Sequence, residues 1–174
     1  VTHRAQRNGW SSNGRLGFNR TSGHDHIVGV WDGLYQIAST TSAGVSAERD
    51  VVNSRIGLQE GLMASTVMAV LDHQFHPRLG VGLAAGSTWF SDDNRRDILR
   101  TRWTFTLSED QGWYLYASTR HYRNRDPYRR AYFSPEQFRE AALGVMWKTA
   151  ITDHVVIGAN ADMGRQYIDG DGQQ

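Results

Sequence analysis

Apolar and polar residues alternate at every second position through most of this chain, which constrains it to strands with one greasy face and one polar face. From Leu99, one face reads Leu99, Thr101, Trp103, Phe105 and Leu107, and the other Arg100, Arg102, Thr104, Thr106 and Ser108. A short turn at 108–112 leads to Trp113, Leu115 and Ala117 opposite Tyr114, Tyr116, Ser118, Arg120 and Tyr122. Further on, Ala141, Leu143, Val145 and Trp147 alternate with Glu140, Ala142, Gly144, Met146 and Lys148. A last run sets Val155, Ile157, Ala159, Ala161 and Met163 against His154, Gly158, Asn160, Asp162 and Gln166.

The first half is less regular. Leu79, Val81, Leu83, Ala85 and Trp89 oppose a face of Arg78, Gly80, Gly82, Ala84, Gly86 and Thr88. Ile27, Gly29, Trp31, Gly33, Tyr35 and Ile37 line one face of an earlier strand, and Leu16 with Phe18 mark a weaker one. Residues 62–75 read as a strand or as a turn or two of helix. The segment from Asp50 to Gly61 reads as a short helix in a loop, with Asp50 as N-cap and Gly61 as stop. Pro77, Pro127 and Pro135 all fall in connections. The sum is about eight antiparallel strands in an all-β chain.

Several classes are excluded by composition. There is no cysteine, so disulfides, thiolate metal sites and thiol nucleophiles are absent. With 19 Lys+Arg against 18 Asp+Glu, no global field favours nucleic acid. The longest purely apolar stretch, Val67 to Leu71, is far below the roughly 20 residues that a membrane helix needs.

Connection lengths point further. Those near 21–26, 75–78, 108–112 and 149–153 are short, and those near 42–61, 90–97 and 123–137 are longer. Tight turns at one end and longer loops at the other are how an up-and-down outer-membrane β-barrel is built. Trp31, Trp113 and Trp147 near short turns, with Trp89 at the opposite end, fit two interfacial aromatic girdles. A soluble barrel with its greasy face turned inward has the same periodicity. If the short turns are periplasmic, eight strands place both ends of the chain on the external side, so a larger barrel is expected to continue it.

Four segments carry a resemblance: Ala47-Glu48-Arg49-Asp50, Leu71-Asp72-His73-Gln74-Phe75-His76-Pro77-Arg78-Leu79, Phe90-Ser91-Asp92-Asp93-Asn94-Arg95-Arg96, and Tyr132-Phe133-Ser134-Pro135-Glu136-Gln137-Phe138-Arg139-Glu140. Over roughly residues 24–168 the chain resembles the C-terminal barrels of tetratricopeptide-containing outer-membrane exopolysaccharide export proteins, of the kind that export poly-N-acetylglucosamine or the Pel polymer. The resemblance implies part of a barrel of roughly 16 strands, embedded in outer-membrane lipid, that passes a biofilm matrix polysaccharide. It also implies an upstream periplasmic tetratricopeptide domain and an inner-membrane synthase complex as partners. No 34-residue helical repeat occurs within this chain, so that domain is expected outside it.

A sugar-conducting lumen needs hydroxyl, amide and charged side chains with aromatic faces, each binding weakly. The candidate contacts are Arg100, Arg102, Tyr114, Tyr116, Arg120, Tyr122, Glu140, Asn160 and Asp162, whose basic excess favours a neutral or anionic polymer. No catalytic or cofactor site is expected. His24-Asp25-His26 lacks a third metal ligand, and His73 with His76 suits a headgroup interface. Asp92-Asp93-Asn94 and Asp169-Gly170-Asp171-Gly172 complete no calcium loop and read as solvated loops. There is no Gly-x-Ser-x-Gly elbow, and Ser118 and His121 sit on opposite faces of one strand. A general porin or structural barrel, an outer-membrane hydrolase and a soluble ligand-binding barrel are the alternatives.

Overall fold

In the computed structural model, residues 2–152 and 155–169 are described. The strands are β1 (Thr2–Arg7), β2 (Trp10–Thr21), β3 (His24–Ala38), β4 (Thr41–Val51), β5 (Met63–His76), β6 (Leu79–Phe90), β7 (Arg95–Ser108), β8 (Trp113–Asn124), β9 (Gln137–Thr152) and β10 (Val155–Asp169). They form one antiparallel meander of 10 strands, each bonded to its neighbours in sequence order. Among the described residues, β1 and β10 do not pair with each other.

Two strands were not anticipated. Segment 41–51, expected as loop, is β4, and its Ala43, Val45 and Ala47 face the same way as Trp31 and Val67 on its neighbours. Segment 2–7 is β1, paired to β2 through a turn at Asn8 and Gly9, whose φ angles are 49° and 80°. Successive positive φ values are what a two-residue hairpin turn requires. The ambiguous 62–75 segment is strand β5, because pairing on both sides satisfies its backbone and places Met68 on one face and Val67 on the other.

The helix α1 (Arg55–Glu60) is shorter than expected. Ser54, not Asp50, caps it, its side chain accepting from the Gly57 amide at 2.9 Å, because Asp50 is held in β4 opposite Ala64. Gly61 does terminate it, in the left-handed region with φ 64°.

Inserting β4 changes which connections share an end. The turns at 8–9, 39–40, 77–78 and 109–112 lie at one end of the sheet, and the connections at 22–23, 52–62, 91–94 and 125–136 at the other. The turn at 22–23 is thus short yet belongs with the longer loops. From β2 onward the strands run to between 11 and 16 residues, at or above the roughly 9–11 that a tilted strand needs to cross a bilayer's apolar layer. No helix of the described residues is long and apolar enough to do so.

A single-layer sheet has little core of its own. Burial concentrates where the longer loops fold over the sheet, around Val52, Met63, Phe90, Ala131 and Phe138.

Candidate functional site

The register fixes two chemically different faces. On the first, Arg100 pairs with Arg120 and Arg120 with Glu140; Thr106 pairs with Tyr114, Thr104 with Tyr116 and Ile98 with Tyr122. Continuing across, Gly144 meets Asp162 and Met146 meets Asn160 on β10. All nine candidate contact residues therefore share one side of the sheet. This side curls around a hollow of about 740 Å³ lined from β3 through β9.

The hollow gathers Arg100, Arg102, Arg120 and Glu140 and leaves the others at its margins. Arg120 donates to the Glu140 carboxylate at 3.0 Å, and Gln166 donates to the same oxygen at 2.6 Å. Arg102 lies over the ring of Tyr116, 4.2 Å from its centroid, a cation–π geometry. Arg100 forms no ion pair or side-chain hydrogen bond among the described residues. Tyr122 stacks on Phe138 with centroids 4.7 Å apart and lies under Arg96 at 4.5 Å, so neighbours cover most of its ring. Tyr114 sits towards the 109–112 turn, and Asn160 and Asp162 are exposed on β10.

Sequence reading missed the opposite wall of this hollow. Ser42, Asp72 and Gln74 line it from β4 and β5, and they escaped notice because one of those segments was read as loop and the other as ambiguous. Between the two walls, β6 presents Gly80, Gly82 and Ala84. Asp72 sits against Gly82 so closely that a Cβ there would come within 2.9 Å of its carboxylate.

The second face is apolar and uncovered: Phe18, Leu143 and Met163 are 85%, 65% and 78% exposed. Aromatic rings gather at its short-turn end, where Trp113 and Trp147 are Cα partners with ring centroids 6.2 Å apart, Trp10 meets Tyr35 at 4.9 Å and Phe75 stacks on Trp103 at 5.9 Å. Trp89 lies at the other end, in the pair joining β6 to Arg95. Trp31 is not beside a turn: β3 extends from His24 to Ala38 and leaves it mid-strand, its indole N–H donating to Ser12 at 3.0 Å. His73 also lies on this face and bonds Thr41 at 2.8 Å.

Asp92 and Asn94, expected to be solvated, instead knit the longer loops together. Asn94 is 1% exposed; its Nδ2 donates to the Asp126 carbonyl and to the Tyr132 hydroxyl, both at 2.9 Å. Its Oδ1 accepts from the amides of Arg95 and Asp126, and the Tyr132 hydroxyl donates to Asp92 at 3.1 Å. Tyr132 stacks on Phe90 at 4.2 Å. Burial, reinforced by the Asp92 charge, pushes its phenol up to about 12, against an opposing hydrogen bond from Asn94. Ser54 donates to the Ala131 carbonyl, tying the α1 connection to the same cap.

Ser118 and His121 are on opposite faces, the first opposite Arg102 and the second opposite Leu99, so they form no hydrogen-bonded pair. Among the described residues no three His, Cys, Asp or Glu side chains gather as a metal site; Gly170, Asp171 and Gly172 lie outside them.

No family model matches the chain, and no curated protein matches it. Among solved structures it is similar to a bacterial polysaccharide outer membrane secretin, with a TM-score of 0.78 and 13% identity over 95% of this chain. The match spans 59% of that chain. At this identity the likeness is one of fold: an antiparallel up-and-down β architecture shared with an outer-membrane protein, consistent with the uncovered apolar face and with an outer-membrane location.

Proposed function

We propose that this chain forms part of the wall of an outer-membrane β-barrel through which a secreted polysaccharide passes. The observation that carries the reading is the division of the sheet: an uncovered apolar face backs a concave polar face on which arginine, carboxylate, hydroxyl and amide side chains surround one hollow. A soluble barrel would turn its greasy face inward and cover it, whereas lipid covers the outside of a membrane barrel. The fold shared with a polysaccharide secretin supports the same direction.

On this reading the chain conducts rather than catalyses. Tyr114 supplies a face for sugar rings, buried Tyr116 seats Arg102, and Arg100 and Arg102 supply donors for hydroxyl and carboxylate oxygens. Each contact is weak, so the polymer is released as easily as it is held. Delivery falls to a periplasmic tetratricopeptide domain and an inner-membrane synthase, as in the exopolysaccharide exporters that the sequence resembles.

The test is Tyr114→Ala together with Tyr116→Ala in the full-length protein, with polymer in the medium measured against polymer retained in the periplasm. Retention rising while the barrel still shows heat-modifiable migration in native outer membranes supports the conduit. Unchanged secretion removes these rings from the pathway, and recovery of the protein in the soluble fraction overturns the reading.

A further inference from the structure

The outward face changes character along the strands. Its short-turn end is aromatic and its middle apolar, but at the long-loop end of β8 to β10 it becomes basic. Arg123 pairs with Gln137, two positions from Arg139 on the same face; Arg139 pairs with Tyr167, two positions from Arg165. Such diagonal neighbours lie about 7–8 Å apart, so the three guanidiniums form an oblique row across three strands, all of them exposed.

Asp97 is the Cα partner of Arg123 and Asp169 a diagonal neighbour of Arg139, yet neither carboxylate is ion-paired to the row. Arg139 donates to Gln137 at 3.0 Å, and neither Arg123 nor Arg165 has an ion pair or side-chain hydrogen bond among the described residues. Of the carboxylates on this part of the face, Asp97 is held by Arg95 at 2.8 Å and by Ser87 at 2.6 Å, and Asp169 forms no ion pair. Like charges side by side weaken a bare sheet; an anion supplied from outside would offset that.

Depth says where the anion comes from. From Trp113 to Arg123 the strand runs about 33 Å, and at a tilt of about 40° that rises about 25 Å, the height of a barrel's apolar band. With the aromatic end at one interface, Arg123 falls in the headgroup layer of the opposite leaflet, on the long-loop side; Arg139 and Arg165 start two and four residues deeper along the strands, and their long side chains reach towards that layer. Guanidinium forks bind phosphate in a bidentate manner, and arginine clusters at a membrane surface select anionic headgroups. We infer that Arg123, Arg139 and Arg165 form a binding site for the phosphate groups of a bisphosphorylated glycolipid of the lipid A type, annular to the barrel.

The inference rests on the membrane reading above, and its test separates the two. The intact protein is reconstituted into phosphatidylethanolamine vesicles containing either bisphosphorylated or dephosphorylated lipid A, and lipid retained through detergent extraction is weighed by native mass spectrometry. Retention of the bisphosphorylated lipid, at least tenfold reduced by joint Arg123→Gln, Arg139→Gln and Arg165→Gln and kept by the corresponding lysine variants, supports the site. Equal retention of both lipids, or retention unaffected by the glutamine variants, overturns it and leaves the conduit standing. Displacement by millimolar inorganic phosphate marks a free-phosphate site and overturns the lipid assignment. Failure to insert into either vesicle overturns both readings.

Discussion

Tyr116 lies between two constraints: Arg102 over its ring at 4.2 Å, and Gly144, its Cα partner on β9, which leaves the ring room it would lose to any side chain. A Cβ at residue 144 would also meet the Asp162 side chain at 2.7 Å. Gly144→Ala is therefore expected to displace the ring and cost about 1–3 kcal/mol, the usual range for overpacking. Gly80→Ala is the matched control, since its nearest neighbour is at 3.6 Å. Urea unfolding in detergent should separate them, and equal midpoints would remove the steric argument.

Arg100 and Arg102 face the hollow without a carboxylate bonded to either, while Glu140 is occupied by Arg120 and Gln166. The field there should favour anions. In planar bilayers, joint Arg100→Gln and Arg102→Gln should lower the anion-to-cation permeability ratio by at least about twofold, since each removed charge weakens the focused field. An unchanged ratio would place the ion path elsewhere.

The strands that were legible in sequence are those whose faces differ strongly. β7 alternates Leu99, Trp103 and Phe105 with Arg100 and Arg102, so tertiary context could only confirm the period. β4 alternates Ala and Val with Ser and Gly, a contrast too small to register, and its backbone pairing rather than its side chains makes it a strand. β1 has only Ala5 as an apolar residue, although Asn8-Gly9 was a hairpin signal in plain sight. The shared polar face followed from parity alone, because period two fixes sidedness wherever the strand limits fall. Which residues meet around the hollow did not, since that depends on register across strands that were read as loops. The Asn94 cap was illegible for another reason: its partners, Asp126 and Tyr132, are distant in sequence and join it only through loop folding.

That cap makes a prediction about proteolysis. Asn94 joins the connections at 91–94 and 125–136 by bonds to Asp126 and Tyr132, and each lost hydrogen bond of this kind is worth about 1 kcal/mol, more where a buried partner is stranded. Asn94→Ala should open the 125–136 connection to trypsin at Arg125, Arg129 and Arg130 on intact cells, where the wild type resists. Cleavage only after the cells are broken would place the long loops on the periplasmic side and reverse the orientation used above.

Tyr132 gives the cap a pH dependence whose sign follows from burial. Its phenol is raised from the ordinary 10.0 to about 12 by desolvation and by the Asp92 charge. The proton is bound more tightly in the closed cap than in the open one, so the stabilisation is complete below about pH 10 and fades as pH rises towards 12. Within that window the phenolate can no longer donate to Asp92, and two anions face each other where a hydrogen bond stood. Tyrosinate absorbance at 295 nm, taken as the wild type minus Tyr132→Phe, should titrate in this upper range, with trypsin sensitivity of the 125–136 connection rising in parallel. Tyr132→Phe should be more sensitive at neutral pH and lose that parallel. A difference titration centred at 10 would show that the cap does not hold the phenol as the structure places it.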